Sequence, residues 1–299
     1  MTSAGPTPAP GPGAAAPAEA WRPSERQLER EAVRRARARR SRLVAAASTA
    51  IVATAAVVAL TTSPGWPRVQ ETFFSAEHAA RALPSILEGL WLNVRIMVGC
   101  GVTIAILGLT VAILRTLTGP VAFPLRIAAT VYTDVFRGLP LLLLIYLLGF
   151  GVPALQLQGL PDSLLFWGCV ALVLSYSSFV AEVFRAGIES IHPSQRAAAR
   201  SLGLSHAQTL RFVVLPQAIR RVLPPLMNDL VSLQKDSGLV AVLGVIDAIR
   251  AAQIATADDF NYTPYVVAGL VFVALTIPMA RIADRVARRA GHHGPGGVV

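Results

Sequence analysis

The sequence predicts an all-α, polytopic membrane protein, and three observations carry that expectation. Apolar residues make up 54% of the 299 and charged residues only 15%, with a mean hydropathy of +0.55; a soluble domain carries roughly 25% charge. The apolar residues fall in long runs near the length, about 20 residues, at which a helix crosses a bilayer. Arginines collect in alternate gaps between those runs, the asymmetry that orients a membrane protein. The formal charge of +10 does not point to nucleic acid, because a nucleic-acid binder gathers its basic residues on one soluble surface. No internal repeat and no strand-like alternation competes with helices.

From the start of the chain, Met1 to about Ala20 is Pro, Ala and Gly with almost no charge, a composition expected to stay disordered. Ser24 to Arg42 reads as a basic helix: Ser24 and Gln27 have capping-box spacing, and Glu31 stands one helical step before Arg35. Such a flank faces lipid headgroups more often than a dedicated partner. Leu43 to Leu60 is uncharged and just long enough to span. A cleaved signal peptide would need an n-region of 42 residues laden with arginine, so an uncleaved transmembrane helix is the better reading. Thr61 to Pro84 then forms an external connection. Further spans follow at about Ile86–Leu114, Leu125–Phe150, Ser163–Val183, Val222–Ile246 and Pro264–Ala280.

With the N-terminus inside, the cytoplasmic segments hold nine arginines from Arg22 to Arg42, then Arg115 and Arg126, six from Arg185 to Arg221, and Arg281, Arg285, Arg288 and Arg289. The external gaps hold only Arg68, Arg81 and Arg250. Both termini are therefore expected in the cytoplasm.

Between the fourth and fifth spans lies Ser194–Pro216, a polar stretch that reads as a helical hairpin. Ser194 can cap a helix running to Leu202, and Gly203 suits the left-handed residue that ends it. Ser205 with Gln208 starts a second helix, and Pro216 marks a turn or kink at its far end. Arg196, Arg200 and Arg211 are expected to face water or a partner, while Ala197, Ala198 and Ala199 permit close approach.

This stretch resembles the cytoplasmic EAA loop of ABC importer permeases: Ala198, Ala199, Gly203, Val213, Leu215 and Pro216 match, with Ala197 where the pattern has Glu. AEVFRAGIES (181–190), Gln195, LPPLMNDLVSLQKDSGLV (223–240) and VFRGLPLLL (135–143) are similar to the polar amino acid uptake branch. The resemblance covers about 85–289. It implies a type I ABC importer transmembrane domain with a five-helix core, to which residues 43–62 add one helix and residues 1–42 a cytoplasmic extension. It further implies ATPase subunits docking on a coupling loop at 194–216, a second permease subunit identical or homologous to this one, and an extracytoplasmic solute-binding protein. Within that loop it singles out Gln195, Ala197, Ala198, Ala199, Gly203, Leu215 and Pro216. An amphipathic loop lying on the bilayer is the plainer alternative.

No chemistry of catalysis is legible. The single lysine, Lys235, lies between Gln234 and Asp236, so no Walker A motif is present to hold a nucleotide; the resemblance implies that ATP is bound on a partner subunit. His78, His192, His206, His292 and His293 form no metal-ligand spacing, and Cys100 and Cys169 read as small buried residues. No GxSxG elbow is present. Charged groups inside apolar spans are costly and therefore functional candidates. Lys235, Asp236, Asn228, Asp229 and Glu182 could line a path for a solute carrying both a carboxylate and an ammonium. The competing reading is an ion pair, Lys235 with Asp236 or Glu182, that sets packing or gating. Arg137, Gly138 and Pro140 mark a kink, with Asp134 as a local partner for Arg137, and Pro224 and Pro225 open the fifth span. The function expected is an amino-acid permease subunit; a permease for an opine or organic cation and a membrane-anchored interaction protein are the alternatives.

Overall fold

The computed structural model describes residues 24–117 and 119–289, without the side chains of 31, 32, 35 and 289. The stretch Met1 to Ala20, Arg22, the Glu31–Arg35 step and the His292–His293 tail lie outside what is described. All regular structure among the described residues is helical. The chain divides into two compact units, 1–66 and 67–299.

In the first unit, α1 (Glu25–Thr61) is one uninterrupted helix whose last 26 residues are apolar enough to span. The Ser24 amide donates to Gln27 Oε1 at 3.1 Å, as the capping-box spacing predicts. The basic segment and the apolar segment are thus one rod, because no Gly or Pro interrupts the run.

The second unit is built around α3 (Ala76–Thr116) and α7 (Leu164–Glu189), which run in the same direction and pack along their length. Small residues allow the approach: a Cβ added at Gly108 would stand 2.6 Å from Val180 Cγ1. Thr61–Pro84 is less of a loop than expected. It contains α2 (Trp66–Phe73) and the first turns of α3, which runs through Pro84 without a break. α2 is tied to the segment just before the last helix, where Asn261 donates to Glu71 carbonyl at 2.7 Å and Tyr262 N–H to Thr72 carbonyl at 2.8 Å.

The third predicted span is two pieces. α4 (Phe123–Gly138) ends at Leu139, and α5 (Leu141–Gly149) with α6 (Gly151–Ala154) sets off at 103° to it. Leu139 adopts extended backbone, φ −86° and ψ 132°, as a residue before proline prefers. The break is thus an end and a restart rather than a kink, and Arg137 lies 3.9 Å from Glu182 rather than pairing with Asp134.

The fifth span is longer and more articulated than predicted. After α8 (Pro193–Ser201), α9 (His206–Thr209) leads through a π-helical segment, Leu210–Val214, directly into α10 (Leu215–Asp236). Pro216 therefore sits in the first turn of α10, where the π-helical register before it accommodates its missing N–H, and it ends no helix. Pro224 and Pro225 lie inside α10 instead of opening it. A 3-10 segment, Ser237–Leu243, and left-handed Gly244 (φ +83°) turn the chain by 50° into α11 (Ala248–Asp259), and α12 (Thr263–Arg289) closes the bundle. The turn is locked to α3: Asn93 donates to Asp247 Oδ2 at 3.0 Å and accepts from Ala248 N–H at 3.2 Å, all three buried. Four helices are long and apolar enough to cross a membrane, and six crossings result if each bent pair is one span.

Candidate functional site

Two places concentrate polar groups: the hairpin after α7 and the interior of the bundle between α3, α7 and α10.

In the hairpin, α8 begins at Pro193, and the cap is His192, whose Nδ1 accepts the Ser194 N–H at 3.2 Å. Ser194 is therefore inside the helix rather than capping it, since Pro193 already occupies the first helical position. Gly203 does close α8, with φ +86°, and its N–H donates to Arg200 carbonyl at 2.9 Å. Ser205 and Gln208 exchange both capping-box bonds, at 2.8 and 3.2 Å. Two arginines fasten the hairpin to the bundle. Arg196 turns inward and donates to the Ile188 carbonyl at the end of α7, and Arg221 of α10 donates to the Ser190 carbonyl at 2.6 Å. Arg196 thus turns to the end of α7 rather than to water, and Ala199, 5% exposed, is packed inward. Gln195, Ala197, Ala198, Arg200, Gly203, Arg211 and Pro216 are exposed, and Leu215 is half-buried. At the tip, Leu202 is 84% exposed, an apolar side chain with nothing over it.

Inside the bundle, the five intramembrane candidates separate into three environments. Successive helix residues point about 100° apart, so Asn228 and Lys235, seven residues apart, share one exposed face of α10, while Asp229 and Asp236 turn toward α7. Asp236 Oδ2 accepts the Tyr176 hydroxyl at 2.6 Å. Asp229 lines a cleft of about 370 Å³ with Tyr176, Met97, Gly101 and Leu233, and its buried Oδ2 has no donor among the described residues. Glu182 belongs elsewhere. It meets Arg115 at 2.8 Å and Arg185 through two nitrogens, with Glu189 beyond on Arg185, at the hairpin end of α7. No ion pair to Lys235 is found among the described residues, so the expected Lys235 pairing with Asp236 or Glu182 is not formed.

Sequence reasoning missed Tyr176, Arg115 and Leu202. The run Ser175-Tyr176-Ser177-Ser178 in an otherwise apolar span was the available signal for the first. Nothing in the sequence marks Arg115, 67 residues before Glu182, as that carboxylate's partner.

A bundle of bent, membrane-length helices with a largely apolar cleft that holds one carboxylate, Asp229, and with a fastened polar hairpin at one end, has the build of a multi-pass transport permease. The chain belongs to the family described as binding-protein-dependent transport system inner membrane component, whose model matches residues 117–292. Among its relatives is the arginine transport system permease protein ArtQ of Bacillus subtilis, 35% identical over 69% of this chain and 93% of that protein. The probable glutamine ABC transporter permease protein GlnM of the same organism is 35% identical over 58% of this chain and 79% of that protein. A crystal structure of an amino acid ABC transporter with histidines superposes with a TM-score of 0.63 at 30% identity, over 70% of this chain and 96% of that one. The MetNI methionine ABC transporter, TM-score 0.59 at 20% identity, shares the fold. The chain is thus an amino-acid ABC transporter permease by family, a membrane component of transport whose relatives are permease subunits rather than enzymes.

Proposed function

We propose that this chain is the permease subunit of an ATP-driven importer of polar amino acids, moved by a separate ATPase that seats the 194–216 hairpin. The observation that carries the proposal is the tip of that hairpin. Leu202 and Gly203 project uncovered, while Arg196 and Arg221 fix the base to α7 and α10, so a push on the tip is delivered to the helices that line the cleft. Exposed Gln195, Ala197, Ala198 and Pro216 flank the tip as the docking surface; Ala199 and Leu215 hold its shape. ATP is bound and hydrolysed on the partner, two such ATPases serving two permeases, identical or homologous. A solute-binding protein delivers the solute from the opposite side, and both termini of this chain share the cytoplasmic side with the hairpin.

Asp229, with its unanswered buried oxygen, supplies the acceptor for a cationic nitrogen of the solute in the cleft. Lys235, on the adjoining exposed face of α10, offers a compact cation to a carboxylate where the two permeases meet. Asn228 lies on that same face. Asp236 positions Tyr176, and Glu182 keeps the inner ends of α3 and α7 together rather than touching solute. Residues 85–289 form the importer domain and 43–62 an added membrane helix.

The test is reconstitution of the chain with its ATPase and solute-binding protein in proteoliposomes and measurement of labelled arginine, glutamine and histidine entry. Uptake that requires ATP and is abolished by Leu202→Asp, with loss of ATPase co-purification, is expected. Uphill transport without any ATPase would end the proposal, and an opine or quaternary amine taken up in preference to amino acids would replace its substrate class.

A further inference from the structure

A second groove, of about 580 Å³, lies between α3 and α7 on a different face of α3 from the Asp229 cleft. Its walls include Cys100, Thr103, Phe166, Cys169 and Val173, and Arg95 is its one charged lining residue. Arg95 is exposed and makes neither an ion pair nor a hydrogen bond among the described residues. Its depth follows from the helix. Arg95 stands 20 residues before Arg115, which is about 30 Å along α3, the thickness of a hydrocarbon core. Arg115 pairs with Glu182 at the hairpin end, so Arg95 lies at the opposite membrane edge. Two features agree with that level: α7 starts there, capped by Ser163 close to Phe166 of the groove, and Trp91, one turn from Arg95, is 62% exposed in the position of an interfacial aromatic.

We propose that this groove binds an anionic phospholipid of the leaflet opposite the hairpin, with the Arg95 guanidinium on the headgroup phosphate and an acyl chain along the apolar wall toward Val173. A planar fork of donors matches a phosphate through paired hydrogen bonds, and an arginine reaching only for bulk water gains nothing from a groove beneath it. The apolar wall receives a chain that has no other specific contact at this depth. Lipid here bears on α3 and α7, the two helices that also flank the Asp229 cleft, without occupying the solute's place.

The test uses the full chain in its purified transporter complex, by native mass spectrometry after addition of dioleoyl phosphatidylglycerol or dioleoyl phosphatidylcholine. One cation near the membrane surface contributes about 1 kcal/mol toward an anionic lipid, so phosphatidylglycerol adducts are expected in about fivefold excess over phosphatidylcholine. Arg95→Gln should bring phosphatidylglycerol down to the phosphatidylcholine level, and Arg95→Lys should keep a preference. Thr103→Trp, which narrows the groove without touching the charge, should lower both adducts. Equal retention of the two lipids by the unaltered protein, an undiminished preference in Arg95→Gln, or absence of both lipids because a second copy covers the groove would each overturn the assignment.

Discussion

Asp229 and Asp236 lie two turns apart on α10, yet their surroundings differ. The Tyr176 hydroxyl answers Asp236 at 2.6 Å, whereas one oxygen of Asp229 is buried with no donor among the described residues. Tyr176→Phe therefore removes the only donor found for Asp236 among the described residues and should cost about 1–3 kcal/mol, measured as a lower midpoint in an unfolding titration of the detergent-solubilised protein. Asp236→Asn in the Tyr176→Phe background should recover part of that loss, because the stranded charge is gone; no recovery would show that the pair is not coupled. Lys235→Met tests a separate side of the helix. Since Lys235 has no ion-pair partner among the described residues and is exposed, the substitution should leave the unfolding midpoint within about 0.5 kcal/mol while weakening solute uptake. Unchanged uptake kinetics would remove Lys235 from the solute's route. The sequence made Lys235, Asp236 and Asp229 legible as charges in apolar spans. It could not divide them between helix faces, because the division depends on which side of α10 meets α7, nor could it give Glu182 its distant partner Arg115.

Among the elements, the breaks were easier to see than their consequences. Gly138, Leu139 and Pro140 announce an interruption, and the 103° angle follows only from what α5 packs on, Ala171 of α7 and Leu243 of the 3-10 segment. Pro216 looks like a stop in sequence but is absorbed at the start of α10, behind a π-helical segment that accommodates the altered hydrogen-bond register. The α3–α11 contact was invisible because its residues are far apart in the chain. A Cβ at Gly89 would stand 2.3 Å from the Asp247 carbonyl carbon, a backbone atom that cannot swing aside. Gly89→Ala should consequently destabilise by roughly 1–3 kcal/mol, the range for overpacking, and should loosen the Asn93–Asp247 lock. Gly269→Ala in α12, where an added Cβ meets nothing within 4 Å, is the matched control and should be neutral or slightly stabilising. Equal effects at the two sites would show that helix propensity, not the close approach to Asp247, decides the outcome.

For the whole molecule, the proposed docking of an ATPase has two candidate grips, the hairpin and the basic stretch of α1. Both fasteners of the hairpin, Arg196 on Ile188 and Arg221 on Ser190, are internal to the 67–299 unit, so its shape does not depend on α1. The basic stretch of α1 is a rival docking element on charge alone, with Arg26, Arg30, Arg34 and Arg37 recurring at helical spacing. The two are separable. A chain lacking residues 1–42 should still capture the ATPase from detergent extract in undiminished amount, whereas Gly203→Val in the full chain should lose it. At φ +86° a β-branched residue is strained and will tilt α8 against α9, carrying Leu202 out of register with its seat. Salt distinguishes the two grips further: an apolar tip resists screening, while an arginine stripe exposed to water weakens as the Debye length falls from about 10 Å at 0.1 M toward 3 Å at 1 M. Capture that survives 0.5 M salt, persists without residues 1–42 and fails in Gly203→Val locates the grip at the hairpin. Capture lost with residues 1–42 would instead place it on the basic helix and leave the hairpin without its proposed role.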